Sequence, residues 1–114
     1  MTKNDDRKDV VVVLVTAPAG EPATELAKGI VASKKAACVN IIPGIRSLYH
    51  WKGEVCDDPE AVLVIKTTAA TVEALKREVL SLHPYEVPEF LVVPTEGGHA
   101  AYLHWVAESV GAAE

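Results

Sequence analysis

The sequence predicts an α+β domain, and three observations support this prediction. Apolar patterns of strand and helix type alternate in the order strand, helix, strand, strand, helix, strand, and one further helical pattern follows. The second and third strands form one unusually long hairpin. Because strand-helix-strand crossovers are right-handed, this order gives a four-stranded antiparallel sheet with both main helices on one face. The predicted fold is a ferredoxin-like βαββαβ sandwich with an extended hairpin and an added C-terminal helix.

The first strand and the first helix have clear local patterns. Residues 10–16 are almost all β-branched, which is typical of a strand at the centre of a sheet. Residues 17–20, Ala-Pro-Ala-Gly, predict a turn, and Pro22 suits the first turn of a helix. Lys34 and Lys35 lie near its expected C-terminal end, where the macrodipole favours cations. The predicted core face of this helix consists of Ala23, Leu26, Ala27, Ile30 and Val31.

A long hairpin is predicted for residues 38–67, with its turn at Lys52 and Gly53. Each arm has about fourteen residues, and an extended chain of that length spans about 45 Å at roughly 3.3 Å per residue. A globule of this size is only about 35 Å across. The tip, which carries Tyr49 and Trp51, therefore projects from its own subunit. It needs a partner surface to bury it, so the sequence predicts assembly of several copies.

Two interruptions are expected in the hairpin. Pro43-Gly44 lies in the first arm, and residues 57–60, Asp-Asp-Pro-Glu, lie in the second. Both segments predict bulges or bends rather than a flat ribbon. The carboxylates of Glu54, Asp57, Asp58 and Glu60 cluster here and are expected to be solvated, where they oppose edge-to-edge aggregation.

The remaining elements complete the predicted order. A second helix is expected over residues 69–82, and His83-Pro84 ends it. Residues 87–93 predict the last strand, and Gly97-Gly98 leads into a short final helix. The second helix has an apolar stripe of Val72, Leu75, Val79 and Leu82, and the final helix has one of Leu103, Val106 and Val110. The sheet face opposite the two main helices is expected to be uncovered within one chain.

Composition limits the function classes. With 114 residues the chain fits one domain, assigned to residues 10–111, and residues 1–9 are expected to be a disordered tail. The formal net charge of -5 repels phosphate backbones, which argues against a nucleic-acid partner. No apolar run approaches the roughly 20 residues needed to span a bilayer, so no membrane role is predicted. The expected location is the cytoplasm, where Cys38 and Cys56 remain free thiols.

Five segments together carry a family resemblance. In order and spacing, the chain resembles the CutA divalent-cation tolerance family at residues 16–18 (Thr-Ala-Pro), 36–44 (Ala-Ala-Cys-Val-Asn-Ile-Ile-Pro-Gly), 47–54 (Ser-Leu-Tyr-His-Trp-Lys-Gly-Glu), 65–67 (Ile-Lys-Thr) and 83–89 (His-Pro-Tyr-Glu-Val-Pro-Glu). The resemblance implies a ferredoxin-like fold, a homotrimer built through the long hairpins, and a link to copper and other divalent cations. It also implies a relation in shape to the PII signalling trimers and no enzymatic activity.

Candidate metal ligands are few. The resemblance implies a copper ligand at His83, whereas Val15 and Leu82 stand where the family pattern has Cys and His. One imidazole is too few donors for a strong copper site, because Cu(I) prefers thiolates and Cu(II) a set of nitrogen and oxygen donors. Cys38 and Cys56 are the other soft donors. The alternatives are a helix-terminal histidine stabilised by the dipole and, for Cys38, an inert buried thiol.

A ligand cleft is the second candidate site. In proteins that resemble this chain, the residues corresponding to Lys66, His83, Tyr85 and Glu89 line a cleft between subunits, with Tyr49 and Trp51 from a neighbour. Lys66 supplies a fixed cation for an anionic ligand, and the rings supply flat apolar walls. The alternative is that Lys66 extends its charged end into solvent and that Tyr49 and Trp51 are interface anchors.

Two functions follow from these residues. The first is a trimeric, non-enzymatic protein of divalent-metal (copper) tolerance that binds metal ions. The second is a PII-like trimeric sensor or scaffold that binds a small anion in the intersubunit cleft. No nucleophile motif or phosphate-binding loop supports an enzyme. An RNA-recognition module shares the strand and helix order, but residues 10–16 and 62–67 contain no aromatic residue.

Overall fold

The computed structural model describes residues 9–111. Its elements are β1 (Val10–Pro18), α1 (Glu21–Ala32), β2 (Cys38–Trp51), β3 (Glu54–Thr68), α2 (Val72–Leu82), β4 (Leu91–Pro94) and α3 (Ala100–Ser109), with a 3-10 turn over Ala69–Thr71 before α2. The strands form one sheet in the order β2-β3-β1-β4, and every pairing is antiparallel. This arrangement confirms the predicted ferredoxin-like sandwich and its added helix. The expected tail lies, apart from Asp9, outside the described residues.

The core lies between the sheet and the first two helices. Alternate residues of β1 and β3 point into it, and the apolar stripes of α1 and α2 cover them. Its largest fully buried side chains include Ile30, Leu63, Ile65, Leu75, Val13, Val15 and Val79. Val31, which was predicted to join the core, is 43% exposed, because it lies at the edge of the apolar stripe.

The opposite sheet face is partly covered. Leu103 and Val106 of α3 pack with Val10 and with the half-buried Ala37, which closes one end of this face. The backbone N–H of Gly111 donates to Lys34 O at 2.7 Å and ties the end of α3 to the α1–β2 connection. The rest of the face remains open. Val110, predicted to share the apolar stripe, lies just beyond the last residue of the helix.

The hairpin turns at Lys52 and Gly53, as predicted, and Trp51 pairs with Glu54. Its β2 and β3 strands have 14 and 15 residues. They draw the subunit out to 49 × 26 × 22 Å and raise its radius of gyration to 14.9 Å. A compact chain of this length has a radius of gyration near 13 Å. The elongation agrees with the projecting tip expected from the sequence.

One predicted interruption of the hairpin is present and one is absent. The register shifts between Ile42 and Ile45, where Pro43 and Gly44 oppose the single residue Ala61. Gly44 has φ +73°, a conformation that favours glycine in a bulge. The break expected at residues 57–60 was wrong, since β3 pairs continuously there. Before Glu60, residues 54–59 of β3 are paired only with β2, so Pro59 is tolerated as on an edge strand.

The last strand is shorter than predicted. Only Leu91–Pro94 pairs with β1, whereas the sequence indicated residues 87–93. The segment before it, residues 83–90, bends away from the sheet after α2 and contributes to the site described next. The proline at position 88 is consistent with this departure from strand geometry.

Candidate functional site

A cleft of about 880 Å³ lies between the outer half of the hairpin and the segment that follows α2. Its volume is in the range of ordinary small-molecule sites. The lining residues are Thr16, Arg46, Ser47, Leu48, Tyr49, His50, Trp51, Glu60, Pro84, Tyr85, Glu86, Val87 and Glu89. Four of the six predicted cleft residues are among them. In this cleft Tyr49 and Trp51 come from the same chain as Tyr85. The predicted cleft, in which these two rings come from a neighbouring subunit, stays a prediction.

The two tyrosines of the cleft donate hydrogen bonds to different carboxylates. The Tyr49 hydroxyl donates a hydrogen bond to Asp58, which lies diagonally across the hairpin. The Tyr85 hydroxyl donates to Glu60 Oε2 at 2.5 Å. Hydrogen bonding to Asp58 is the main cause that raises the pKa of Tyr49 to about 12, and burial followed by the bond to Glu60 raises the pKa of Tyr85. Both phenols remain neutral hydrogen-bond donors at physiological pH.

Glu60 is the buried carboxylate of the cleft, with a relative exposure of 4%. The sequence prediction of a solvated acidic cluster was therefore wrong at this position. Asp57 does have an exposed partner: Arg46 Nε and Nη2 donate to its two oxygens at 2.9 and 2.7 Å. This guanidinium lowers the pKa of Asp57. Glu89 lies near Glu60, and burial, together with the charge of Glu60, raises the pKa of Glu89.

Glu86 lies at the rim of the cleft, where the hairpin turn meets the segment after α2. Lys52 Nζ is 3.7 Å from Glu86 Oε1 and 5.5 Å from the centre of the Trp51 ring. The ammonium group therefore contacts both a carboxylate and an aromatic face. This contact joins the tip of the hairpin to residues 83–90 across the mouth of the cleft.

His83 lies behind the cleft and is buried. Its Nε2 is 2.7 Å from the carbonyl oxygen of Thr16, and the Tyr85 N–H is 3.1 Å from its Nδ1. A carbonyl only accepts hydrogen bonds, so Nε2 carries the hydrogen and Nδ1 accepts from Tyr85. Both ring nitrogens are engaged in this tautomer. His83 therefore anchors the segment that carries Tyr85 to the end of β1, while the metal role predicted for it is untested.

Lys66 is not part of the described cleft. It lies on β3 opposite Cys38 of β2 and Val12 of β1, and its Nζ donates a hydrogen bond to Asn40. Lys66 and Glu60 are six positions apart on β3, which corresponds to about 20 Å along the strand. Within one chain, Lys66 is therefore remote from the aromatic walls, and its place in a cleft between subunits stays a prediction. The charged residues that line the described cleft are Glu60, Glu86, Glu89 and Arg46, and Arg46 is paired with Asp57.

The two cysteines are free and far apart. Cys38 pairs with Lys66, and Cys56 pairs with Tyr49. Lys66 and Cys56 are ten positions apart, which corresponds to about 33 Å along β3 and excludes an intrachain disulfide. Cys38 Sγ is 4.0 Å from Asn40 Oδ1. Among residues 9–111, no group of three or more His, Cys, Asp or Glu side chains is placed to hold a metal ion.

Glu60 and Glu86 line the cleft but were not predicted as cleft residues. Glu60 is preceded by a proline and two aspartates, so its local context indicates a solvated segment. Its position in the strand was an available signal. Glu60 begins the stretch of alternating burial in β3, next to Ala61, and it pairs with Pro18 at the end of β1. Glu86 lies within the matched segment 83–89, but its position at the rim of the cleft depends on the ion pair with Lys52, which only the folded structure shows.

The comparisons with known proteins agree with the fold. A family model described as the CutA1 divalent ion tolerance protein matches residues 11–109. The divalent-cation tolerance protein CutA of Thermus thermophilus is 47% identical over 100 residues, which cover 88% of this chain and 97% of that protein. A rice relative, named Protein CutA 1, chloroplastic, is 46% identical over 99 residues, 87% of this chain, but the match covers only 56% of that longer protein.

Solved structures show the same architecture. CutA1 from Oryza sativa has a TM-score of 0.90 at 41% identity, with coverage of 96% of this chain and 100% of that one. A PII-like protein CutA from a Nostoc species, in apo form, has a TM-score of 0.84 at 34% identity, with coverage of 89% and 97%. Across residues 9–111, none of the helices is both long and apolar enough to span a membrane. The chain belongs to the CutA1 divalent ion tolerance family.

Proposed function

We propose that this chain is a homotrimeric, non-enzymatic protein of divalent-cation tolerance that acts in the cytoplasm and binds copper or another divalent cation once assembled. The family supports the link to divalent cations, and the exposed apolar hairpin supports assembly. Leu48 and Val55 are 63% and 69% exposed in the single chain. Apolar surface of this extent on a projecting arm is typical of a contact with another protein.

The sheet supplies a second reason for assembly. Its two outer strands are β2 and β4, so one side of each has backbone groups without a ladder partner in the described chain. Leu91, Val92 and Val93 of β4 are also exposed. Edges and an open apolar face in one subunit are compatible with burial against identical copies.

Metal binding in this proposal depends on assembly. One chain brings together no group of three metal-binding side chains among its described residues. Symmetry multiplies each donor, so a thiolate from Cys38 or Cys56 in each of three copies could form a soft site that one copy lacks. His83 contributes only if its Nδ1 gives up the hydrogen bond from the Tyr85 N–H.

Light scattering and calorimetry test this function together. Light scattering at micromolar concentration is expected to return the mass of a trimer, and a stable monomer would refute the proposal. Titration with copper, zinc or cadmium is expected to release heat that is reduced in a Cys38→Ser, Cys56→Ser, His83→Ala variant. A Cys→Ser variant with His83 retained separates the thiols from the imidazole. Equal heats for all variants and the parent would exclude direct binding by these residues.

A second candidate is a PII-like sensor or scaffold whose cleft binds a small ligand. The observation that favours it is the aromatic cleft itself, since Tyr49, Trp51 and Tyr85 converge on one volume of about 880 Å³. If the ligand is the anion expected from the sequence, Lys66→Ala abolishes ligand-induced thermal stabilisation and leaves the trimer intact. Thermal stabilisation that survives Lys66→Ala but is lost on substitution of Tyr85 would place the ligand in the described cleft instead.

A further inference from the structure

We propose that the cleft binds a small organic cation, an amine or quaternary ammonium group, between the Glu60 carboxylate and the rings of Tyr49, Trp51 and Tyr85. This inference rests on the second candidate function, a ligand-binding sensor, and assigns its ligand the charge opposite to the one expected from the sequence. The site consists of three aromatic side chains and one carboxylate that line the cleft. None of them was predicted to bind a cation of this class.

Glu60 is a buried carboxylate with no cation beside it among the described residues. This carboxylate is almost fully buried, and within residues 9–111 its hydrogen-bond donor is the Tyr85 hydroxyl on Oε2. No described donor reaches Oε1. Arg46 in the cleft lining is paired with Asp57, and Lys52 at the rim is paired with Glu86. A buried carboxylate without a cation is costly, so a ligand that supplies the positive charge gains more than a neutral one.

The walls of the cleft are largely aromatic. Aromatic faces attract cations through the ring quadrupole, and several rings around one volume are the usual way to bind a quaternary ammonium group. Here three aromatic side chains line one cleft together with Glu60, Glu86 and Glu89. Within one chain, an anion would meet these carboxylates with Lys66 remote and with Arg46 and Lys52 already paired with Asp57 and Glu86.

The ammonium group of Lys52 is a cation at the rim of the cleft. The Lys52 ammonium lies 5.5 Å from the centre of the Trp51 ring and 3.7 Å from Glu86 Oε1. The combination of ring and carboxylate proposed for the ligand is thus already used by a side chain at the mouth of the cleft. Lys52 is largely exposed, so a ligand can displace it at small cost.

An organic cation fits these residues better than a metal ion does. A divalent metal requires several oxygen, nitrogen or sulfur ligands at short distances. The described chain offers no such group of three, whereas an ammonium group requires only one carboxylate and aromatic faces. These side chains therefore favour an organic ion over a metal ion in the cleft.

Three probes of similar size separate charge from shape: tetramethylammonium, neutral tert-butanol and anionic pivalate. Each is titrated into the millimolar range at constant ionic strength, with Trp51 fluorescence as the readout. The chain has two tryptophans, so a Trp105→Phe background leaves Trp51 as the only reporter. We expect saturable binding of tetramethylammonium, with tert-butanol weaker by about tenfold and pivalate weaker still.

Two substitutions test the assigned residues. Glu60→Gln keeps an acceptor for Tyr85 and removes the charge, and it is expected to weaken tetramethylammonium binding by about tenfold. Glu25→Gln, on the exposed face of α1 beside Lys28, is the matched control and should leave the affinity unchanged. Lys52→Gln removes the competing ammonium group and should tighten cation binding by about threefold. An anion site predicts the opposite sign for Lys52→Gln.

The outcomes distinguish this inference from the function on which it rests. Equal binding of tert-butanol, tighter binding of pivalate, or an affinity unchanged in Glu60→Gln would overturn the assignment of a cation. If pivalate binds and Trp51 responds, the sensor function stands with an anionic ligand. If none of the three probes binds to an intact trimer, both the cation assignment and the cleft function fail.

Discussion

The inner and outer halves of β3 belong to one continuous strand, yet they have opposite environments. Between Ala61 and Thr67 every second residue is fully or almost fully buried, while Val55 near the turn is the most exposed large apolar residue described. Both halves make the same ladder with β2. The difference is that β1 and the two main helices cover only the inner half. Backbone pairing alone thus forms the hairpin, but burial of its side chains requires another element or another copy.

The largest expected effect concerns the outer half. Leu48→Lys places a charge on the projecting arm, and we expect it to shift the trimer to monomers in light scattering, because an uncompensated charge in an interface is strongly unfavourable. Val31→Lys, at an exposed apolar position of α1, is the control and should leave the mass unchanged. A Leu48→Lys variant that remains trimeric would show that this part of the arm is not in the interface.

The next effect concerns the inner half. Leu75 of α2 is fully buried in the core, and Leu75→Ala is expected to lower the free energy of unfolding by about 3 kcal/mol through lost burial and a cavity. Leu80→Ala on the same helix is the control, since Leu80 is 51% exposed and should contribute less than about 1 kcal/mol. Urea unfolding measures both. Equal losses would mean that assembly buries Leu80 as well.

A smaller effect is expected at the junction of the two halves. His83→Ala removes partners from the Thr16 carbonyl and the Tyr85 N–H, and we expect a loss of about 2 kcal/mol in unfolding free energy. His104→Ala, at an exposed position of α3, should stay within about 0.5 kcal/mol of the parent. A neutral His83→Ala would indicate that water replaces both hydrogen bonds and that the segment after α2 does not need this anchor.

The smallest effect is a pH dependence at Glu89. Burial and the charge of Glu60 raise the pKa of Glu89 in the folded state above its ordinary value, so the folded state holds this proton more tightly than the unfolded state does. The resulting stabilisation is present at low pH and is lost as pH rises through the raised pKa. Glu89→Gln should therefore be more stable than the parent at pH 7 by no more than about 0.5 kcal/mol, since the carboxyl is largely exposed.

Unfolding at pH 4 and pH 7 measures this difference. The gain from Glu89→Gln should shrink at the lower pH, where the parent also carries a neutral side chain. Glu96→Gln, in the exposed segment after β4, is the control and should not show a gain confined to pH 7. A gain that is equal at both pH values would contradict the charge effect.

Local patterns predicted the fold of this chain well. The turn at Lys52-Gly53, the bulge at Pro43-Gly44 and the place of Pro22 in the first turn of α1 all depend on residues close in sequence, and all are confirmed. The break at residues 57–60 was wrong because edge pairing tolerates Pro59, which only the sheet order reveals. The last strand was overestimated because apolar residues before Leu91 serve a bend rather than the ladder.

The site was harder to predict, because its residues meet only through tertiary structure. The aromatic residues Tyr49, Trp51 and Tyr85 were identified from their motifs, and the cleft brings them together. Glu60 was expected in solvent and is buried in the cleft. Lys66 was expected in a cleft, and in the single chain its ammonium group donates to Asn40 on the neighbouring strand. Their local sequences carry no information about the partners across the sheet or after α2.

The bulge in β2 has a consequence for how the length of this chain can vary. It adds one residue to β2 relative to β3, and side chains alternate between faces with a period of two. Loss of Gly44 would therefore leave Pro43 opposite Ala61 and keep every pair from Ile45–Glu60 to Trp51–Glu54, so the outer side chains would stay on their present faces. A deletion elsewhere in this arm would shift the register by one residue and turn the neighbouring side chains to the opposite face, so the bulge is the position where β2 can lose a residue with its pairing intact.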